Sequence, residues 1–249
     1  MTSFESLLPE KVLQQAGGAV GRRLLTEYGA VFAAGGGVVP PDRIIFRDED
    51  EVKEFQNSVS IDSLRFGNVP IELQSVAVEK LSQAVAAAKG AGLSITPRGA
   101  DSGRRDYSET VGLWHSRVEP ALDHWVAQGR VSPVEAAEIR KLSPFEQVPI
   151  VLSLEEKGIF FAKDLTKTIL YSVAPPGTSQ HLSMLAFDVK EFNDKGVRNI
   201  LNDHFWYQTV PSDLPHFTFL GVSISRLPLS GLKAVTNTER EFWVPNVDR

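Results

Sequence analysis

The sequence predicts an α+β fold, with helices in the first part of the chain and a β-rich C-terminal half. Apolar residues recur at helical spacing through Leu73, Val76, Ala77, Leu81, Ala84, Val85 and Ala88. Short alternating runs at Met184–Val189 and His216–Phe219 have the two-residue period of strands. Composition agrees: 42% of the 249 residues are hydrophobic and 23% are charged, enough apolar surface for a real core and too much for a disordered chain.

The elements follow in order. Residues 4–16 and 19–33 read as short helices broken by Gly17-Gly18. Gly35-Gly36-Gly37 with Pro40-Pro41 is a loop, because glycine is costly to order and proline lacks a donor. No Lys-Ser/Thr follows the triplet, so nothing supports a phosphate cradle. Arg43–Arg47 is a strand candidate, and residues 48–59 read as a helix with acidic residues in its first turn, where the helix dipole favours them. The periodic segment from Leu73 to Ala88 is a helix ended by Gly90 and Gly92. Leu93–Thr96 alternates like a strand, and residues 97–106 form a loop. Ser108–Gln128 is a helix whose candidates for burial include Leu113, Val118, Leu122 and Val126. Ser132-Pro133, a cap and a first-turn proline, opens another helix that runs to Lys141. Residues 144–167 have no clear pattern, Thr168–Val173 reads as a strand, and Ala174–Thr178 as a turn. The expected organisation is a mostly helical extension over 1–70, then a domain over 71–249 that carries the chemistry.

Charge and composition exclude several classes. Lys plus Arg is 26 and Asp plus Glu is 31, a net charge of −5 without the basic surplus of a general nucleic-acid binder. No apolar run approaches the ~18 residues of a membrane span. Cysteine is absent, which excludes disulfides, zinc–thiolate sites and cysteine nucleophiles. A metal would have to be held by His, Asp or Glu, and there are five histidines: His115, His124, His181, His204 and His216. The N-terminus has neither a basic start nor a long apolar stretch, so no signal peptide is visible. Lack of cysteine suits an exported bacterial protein, periplasmic or extracellular, although cytosolic proteins can share it.

Two segments stand out, Ser179–Asp188 and Asp213–Phe219. Together they hold two imidazoles and two carboxylates. A catalytic zinc takes three protein ligands and keeps one position open, and His181, Asp188 and His216 can supply the three, leaving Asp213 as a general base. Alternation places Met184, Ala186 and Asp188 on one strand face, with Leu185, Phe187 and Val189 towards the core. In the second strand His216 and Thr218 share a face opposite Phe217 and Phe219. His181 precedes Asp188 by seven positions, an odd separation, so the chain must bend and His181 must come from a loop. The plainer reading is that each histidine is a surface or hydrogen-bonded core residue.

The pattern Ser-x-His-x(6)-Asp followed by a carboxylate-x-x-His resembles the VanY-like zinc D,D-carboxypeptidases and the related L-alanyl-D-glutamate endopeptidases of phage lysins. The approach Ala174-Pro-Pro-Gly-Thr-Ser-Gln-His181 looks like the VanY form, and Ser102-Gly103-Arg104-Arg105 resembles the family's Ser-Gly-Tyr-Arg segment. The resemblance covers about residues 72–221. It implies the hedgehog/D,D-peptidase fold and one zinc per chain at His181, Asp188 and His216. It further implies a base at Asp213 and a substrate site at Ser102 and Arg105, where the arginine's planar fork suits a substrate carboxylate. The implied partner is a peptidoglycan stem peptide, most directly one ending in D-Ala-D-Ala. Two positions depart from the family. Met184 stands where many members have Gly, and its side chain is expected to reach the cleft floor and narrow a substrate subsite. Asp213 stands where carboxypeptidases usually have Glu, and this points towards the endopeptidase branch. A non-catalytic zinc or wall-binding domain of the same fold is the competing class.

Other candidates are weaker. Ser230-x-x-Lys233 lacks any accompanying Lys-Thr-Gly, and no His-Glu-x-x-His exists. His115 and His124 lie nine apart on a predicted helix, off a common face. His204 and Trp206 could line a cleft or belong to the core.

Overall fold

The computed structural model describes residues 3–237 and 239–247. In chain order the elements are α1 (Glu10–Ala16), α2 (Ala19–Tyr28), α3 (Glu49–Asn57), β1 (Ile61–Phe66), β2 (Val69–Gln74), α4 (Ser75–Gly90), α5 (Tyr107–Ala127), α6 (Pro133–Lys141) and α7 (Pro144–Glu156). There follow β3 (Ala186–Asp188), α8 (Lys195–Asp203), β4 (Trp206–Tyr207), β5 (His216–Phe219), β6 (Leu232–Asn237) and β7 (Arg240–Pro245). The fold is α+β, with small antiparallel sheets and flanking helices. β1 pairs with β2, β6 pairs with β7, and a three-stranded sheet has the order β3-β5-β4.

The chain forms two compact units. One comprises residues 1–44, 54–105 and 180–249; the other comprises residues 45–53 and 106–179. These units do not follow the boundary at 70/71 expected from the sequence. Residues 1–44 share a unit with the C-terminal strands, because α2 packs on β7 and the 3-10 turn Gly29–Ala33 packs on β5 and β7.

In the first unit, the apolar stripe of α4 (Ala77, Leu81, Ala84, Ala88) joins one core with Leu185, Phe187 and Val189, with Phe217 and Phe219, and with Val197 and Leu201 of α8. Trp206 is a core plug here: its ring lies 5.2 Å from Phe219 and 6.2 Å from Phe187. α8 begins where the Asp194 carboxylate accepts the amides of Gly196 and Val197, a side-chain N-cap. In the second unit, α5, α6 and α7 bury Trp114, Val118, Leu122, Val148 and Val151, whereas Leu113 is exposed. Glu155 is buried there and accepts from the amides of Phe161 and Ile169 and the hydroxyl of Thr168.

Three expected strands do not form. Thr168–Val173 contains a 3-10 turn, Ile169–Tyr171, because the Thr168 hydroxyl accepts the Leu170 amide and starts a turn. Leu93–Thr96 lies outside the strands, although Lys190 donates to the Thr96 carbonyl and Pro97 bridges Val189; proline has no N–H to extend a ladder. Arg43–Arg47 is irregular, with the Ile44 amide taken by the side chain of Gln15. Leu73 belongs to β2, and α4 starts at Ser75.

Candidate metal centre

The polar face of the three-stranded sheet holds the site, which lies wholly in the first unit. Asp188 pairs directly with His216 across β3 and β5, and Ala186 pairs with Thr218. The alternation expected from the sequence therefore holds from Ala186 onwards: Phe187 and Phe217 face the core and the polar residues face the other way. His181 arrives separately, on the 3-10 turn Gln180–Ser183. The bend that its odd spacing requires occurs at Met184, whose φ of +56° lies in the left-handed region. The carbonyls of this bend are secured by Gln74 of β2, whose side chain donates to the Ser183 carbonyl and whose backbone amide donates to the Met184 carbonyl.

His181, Asp188 and His216 are all buried, and one ligand atom from each lies within 4.8 Å of the others. Both histidine tautomers follow from their partners. His181 Nδ1 lies 2.7 Å from the Gly103 carbonyl, an acceptor, so Nδ1 carries the proton and Nε2 presents a lone pair. His216 Nε2 lies 2.9 Å from Gln180 Oε1, also an acceptor, so the proton is on Nε2 and Nδ1 presents its lone pair. His181 Nε2 and His216 Nδ1 each lie 3.3 Å from Asp188 Oδ1. Three acceptors thus converge in a buried site with no proton among them. This arrangement is unfavourable alone and favourable around a cation, and the group can hold a metal ion.

Electrostatics point the same way. Burial pushes the His181 imidazole below its ordinary range, so it stays neutral, as a metal ligand must be. Burial opposes the charge on Asp188, yet its carboxyl is held well below the ordinary carboxylate range. The second carboxylate oxygen, Oδ2, accepts from Arg105 Nη2 at 2.9 Å. Arg105 Nε donates to the Asp101 carbonyl at 3.0 Å, so this side chain is tied to the metal group rather than free in a loop.

The Ser102–Arg105 segment fits closely against β2. A Cβ on Gly103 would come within 2.7 Å of Ile71 Cγ2 and 2.9 Å of the Glu72 carbonyl. Only glycine lets the chain lie this flat and turn its carbonyl to His181. Ser102 does not face a substrate: it is 1% exposed, and its hydroxyl accepts the Gly99 amide to close the 3-10 turn Ala100–Ser102. Met184 is likewise 0% exposed and offers no surface to a ligand. Its left-handed backbone takes it out of the strand and breaks the alternation that would have placed it with Asp188. Asp213 is exposed, and its carbonyl accepts the His216 amide at 3.1 Å, one tight turn ahead of β5. His204 donates from Nδ1 to the Ile200 carbonyl at the end of α8, a structural role. His115 and His124 lie on α5 in the other unit.

Several supporting residues had no signal in spacing. Gln56 Nε2 donates to both the Arg105 and Leu182 carbonyls and so joins the arginine loop to the His181 turn. Glu27 accepts from Ser212, beside Asp213, and burial raises its pKa. Gln180 stands next to His181 in the motif, but nothing in the sequence marks it as a partner of His216. Comparison with protein-family models, curated proteins and solved structures returns no match. What the fold and site define is an α+β protein with a buried His-Asp-His group able to hold a metal ion.

Proposed function

We propose that this chain is a zinc metallopeptidase that hydrolyses peptidoglycan stem peptides outside the bacterial membrane. The observation that carries the reading is the convergence of two imidazole lone pairs and one carboxylate oxygen at a buried point. Two nitrogens and one oxygen suit zinc better than magnesium or calcium, which prefer all-oxygen shells, and three ligands leave a position open for chemistry. Zinc, when bound, supplies Lewis-acid polarisation of a carbonyl and acidification of water.

The chain's own residues then have separable tasks. Asp213 is exposed one tight turn ahead of His216, and in this reading its carboxylate accepts a proton from water and returns it to a leaving amine. A purely structural metal needs no such base, which argues against a non-catalytic binding domain. Arg105 has Nε and Nη2 engaged with Asp101 and Asp188, which leaves the Nη1 donors for a carboxylate of the substrate. Both D-Ala-D-Ala and D-Glu present one. The first bond to test is the terminal D-alanyl-D-alanine bond. A second reading, an endopeptidase at L-alanyl-D-glutamate, is favoured by Asp213 in place of Glu and by the burial of Met184, which removes any narrowing of a D-Ala subsite.

Mass spectrometry of purified muropeptides after digestion with the zinc-loaded protein tests activity and bond together. Loss of one D-Ala from pentapeptides marks the carboxypeptidase, and scission after L-Ala marks the endopeptidase; an unaltered muropeptide profile would overturn the reading. Asp213→Asn should keep stoichiometric zinc and lose on the order of 10²–10⁴-fold in turnover. Near-normal turnover in that variant would remove Asp213 from the role.

A further inference from the structure

We propose that Gln180 is a positioning residue that decides which nitrogen of His216 faces the metal. The inference rests on the metal-centre reading above and extends it to a residue that is not itself a ligand. Gln180 is 3% exposed, and its amide can adopt one orientation only. Nε2 lies 2.7 Å from the backbone carbonyl of Tyr28, which can only accept, so the NH2 end of the amide is there. The oxygen end therefore faces His216 Nε2 at 2.9 Å and Thr218 Oγ1 at 2.5 Å. Both are donors to it. Thr218 has then used its only proton, so the Thr209 hydroxyl, 2.6 Å away, donates to Thr218. The chain Thr209 to Thr218 to Gln180 runs through residues that are all buried, and no water is needed to complete it.

The consequence falls on the far nitrogen. A neutral imidazole has one proton, and Asp188 Oδ1 lies only 3.3 Å from His216 Nδ1. Without an acceptor at Nε2, the proton is better placed on Nδ1, donating to the Asp188 carboxylate. The lone pair of His216 would then point away from the site, and its Nδ1–H would occupy one lone pair of the Asp188 oxygen that faces it. With Gln180 Oε1 at Nε2, the proton stays on the outer nitrogen and Nδ1 is left open. Tyr28 ends α2, so the N-terminal part of the chain contributes to the metal centre through one carbonyl.

Nitrogen-15 spectra of histidine-labelled, metal-free full-length protein read the tautomer directly, alongside zinc titration against a competing chelator. In the wild type, His216 should be protonated on Nε2. In Gln180→Leu it should shift to the Nδ1-protonated form, and zinc affinity should fall 10–100-fold, the usual loss when a partner of a ligating histidine is removed. Gln180→Glu keeps an acceptor at this position and should keep the tautomer, even though its contact with Tyr28 is lost. A wild-type His216 protonated on Nδ1, or a Gln180→Leu variant with unchanged tautomer and affinity, would overturn the role of Gln180. A wild type with the expected tautomer that binds no zinc would instead overturn the metal reading. Should Gln180→Leu fail to fold, the wild-type spectrum and Gln180→Glu still decide the question.

Discussion

Met184 stands four residues before Asp188, with its backbone in the left-handed region and its side chain fully buried. Counting by twos from Asp188 places it on the metal face, but counting by twos is valid only while the backbone stays extended. At φ +56° it does not, and the side chain turns into the core. The same angle explains why glycine suits this position: a left-handed β-carbon costs ~1–2 kcal/mol. Met184→Gly would relieve that strain but remove a fully buried side chain, a loss of ~2–5 kcal/mol in cores. The net expectation is a destabilisation of about 1–3 kcal/mol in urea unfolding, with an unchanged preference between a D-Ala-D-Ala pentapeptide and bulkier analogues. A changed preference would return Met184 to the cleft. The candidate ligands were legible, because histidines are scarce in this chain and Asp188 and His216 stand on true strands. The tautomers were not, since each depends on a carbonyl or amide from elsewhere in the chain.

At the scale of elements, the loop carrying Ser102–Arg105 works by close approach. Gly103→Ala would place a methyl 2.7 Å from Ile71 and 2.9 Å from the Glu72 carbonyl. The loop must lift, and the carbonyl that holds His181 Nδ1 must move with it. Overpacking of this kind costs ~1–3 kcal/mol, and zinc affinity should fall with stability, as chemical denaturation and a chelator titration would show. Near the N-terminus, Asp42 forms ion pairs with Arg43 and with Lys11 of α1. Its hydrogen bond with Arg43, joined by Lys11 and opposed by burial, lowers its pKa from 3.8 to about 2. Unfolding restores the higher value, so the unfolded chain binds the proton first. The stabilisation is complete above pH ~4 and is lost as the pH falls towards ~2. The pair is partly exposed, so the effect is small. Urea unfolding at pH 5, 3 and 2 should show a shallower acid loss in Asp42→Asn than in the wild type; equal slopes would exclude the linkage.

For the whole molecule, metal and fold should be thermodynamically linked. The three residues able to hold a metal come from a 3-10 turn and two strands, and they meet only in the folded chain. A metal that binds this state alone stabilises it by RT ln(1 + [L]/Kd), about 2.7 kcal/mol at one hundred times Kd. Zinc should therefore raise the melting temperature of chelator-stripped protein in a concentration-dependent way. His181→Ala should abolish that rise while the variant still unfolds cooperatively; an undiminished rise would place the metal elsewhere. No helix among the described residues is long and apolar enough to cross a membrane.

The sequence by itself determined the α+β class, the periodic helix that became α4, the strands bearing Asp188 and His216, and the identity of the residues able to hold a metal. These follow from local periodicity and from the chemistry of a few side chains, which a linear chain displays. Only the tertiary structure decided that residues 1–44 pack in the same unit as the site, that Ser102 and Met184 are buried, and that Arg105 grips Asp188. It also decided which nitrogen each histidine turns inward. The reason is physical: burial and hydrogen-bond partnership are set by groups far apart in the chain, such as Tyr28 and Gln180, and no local pattern encodes that meeting.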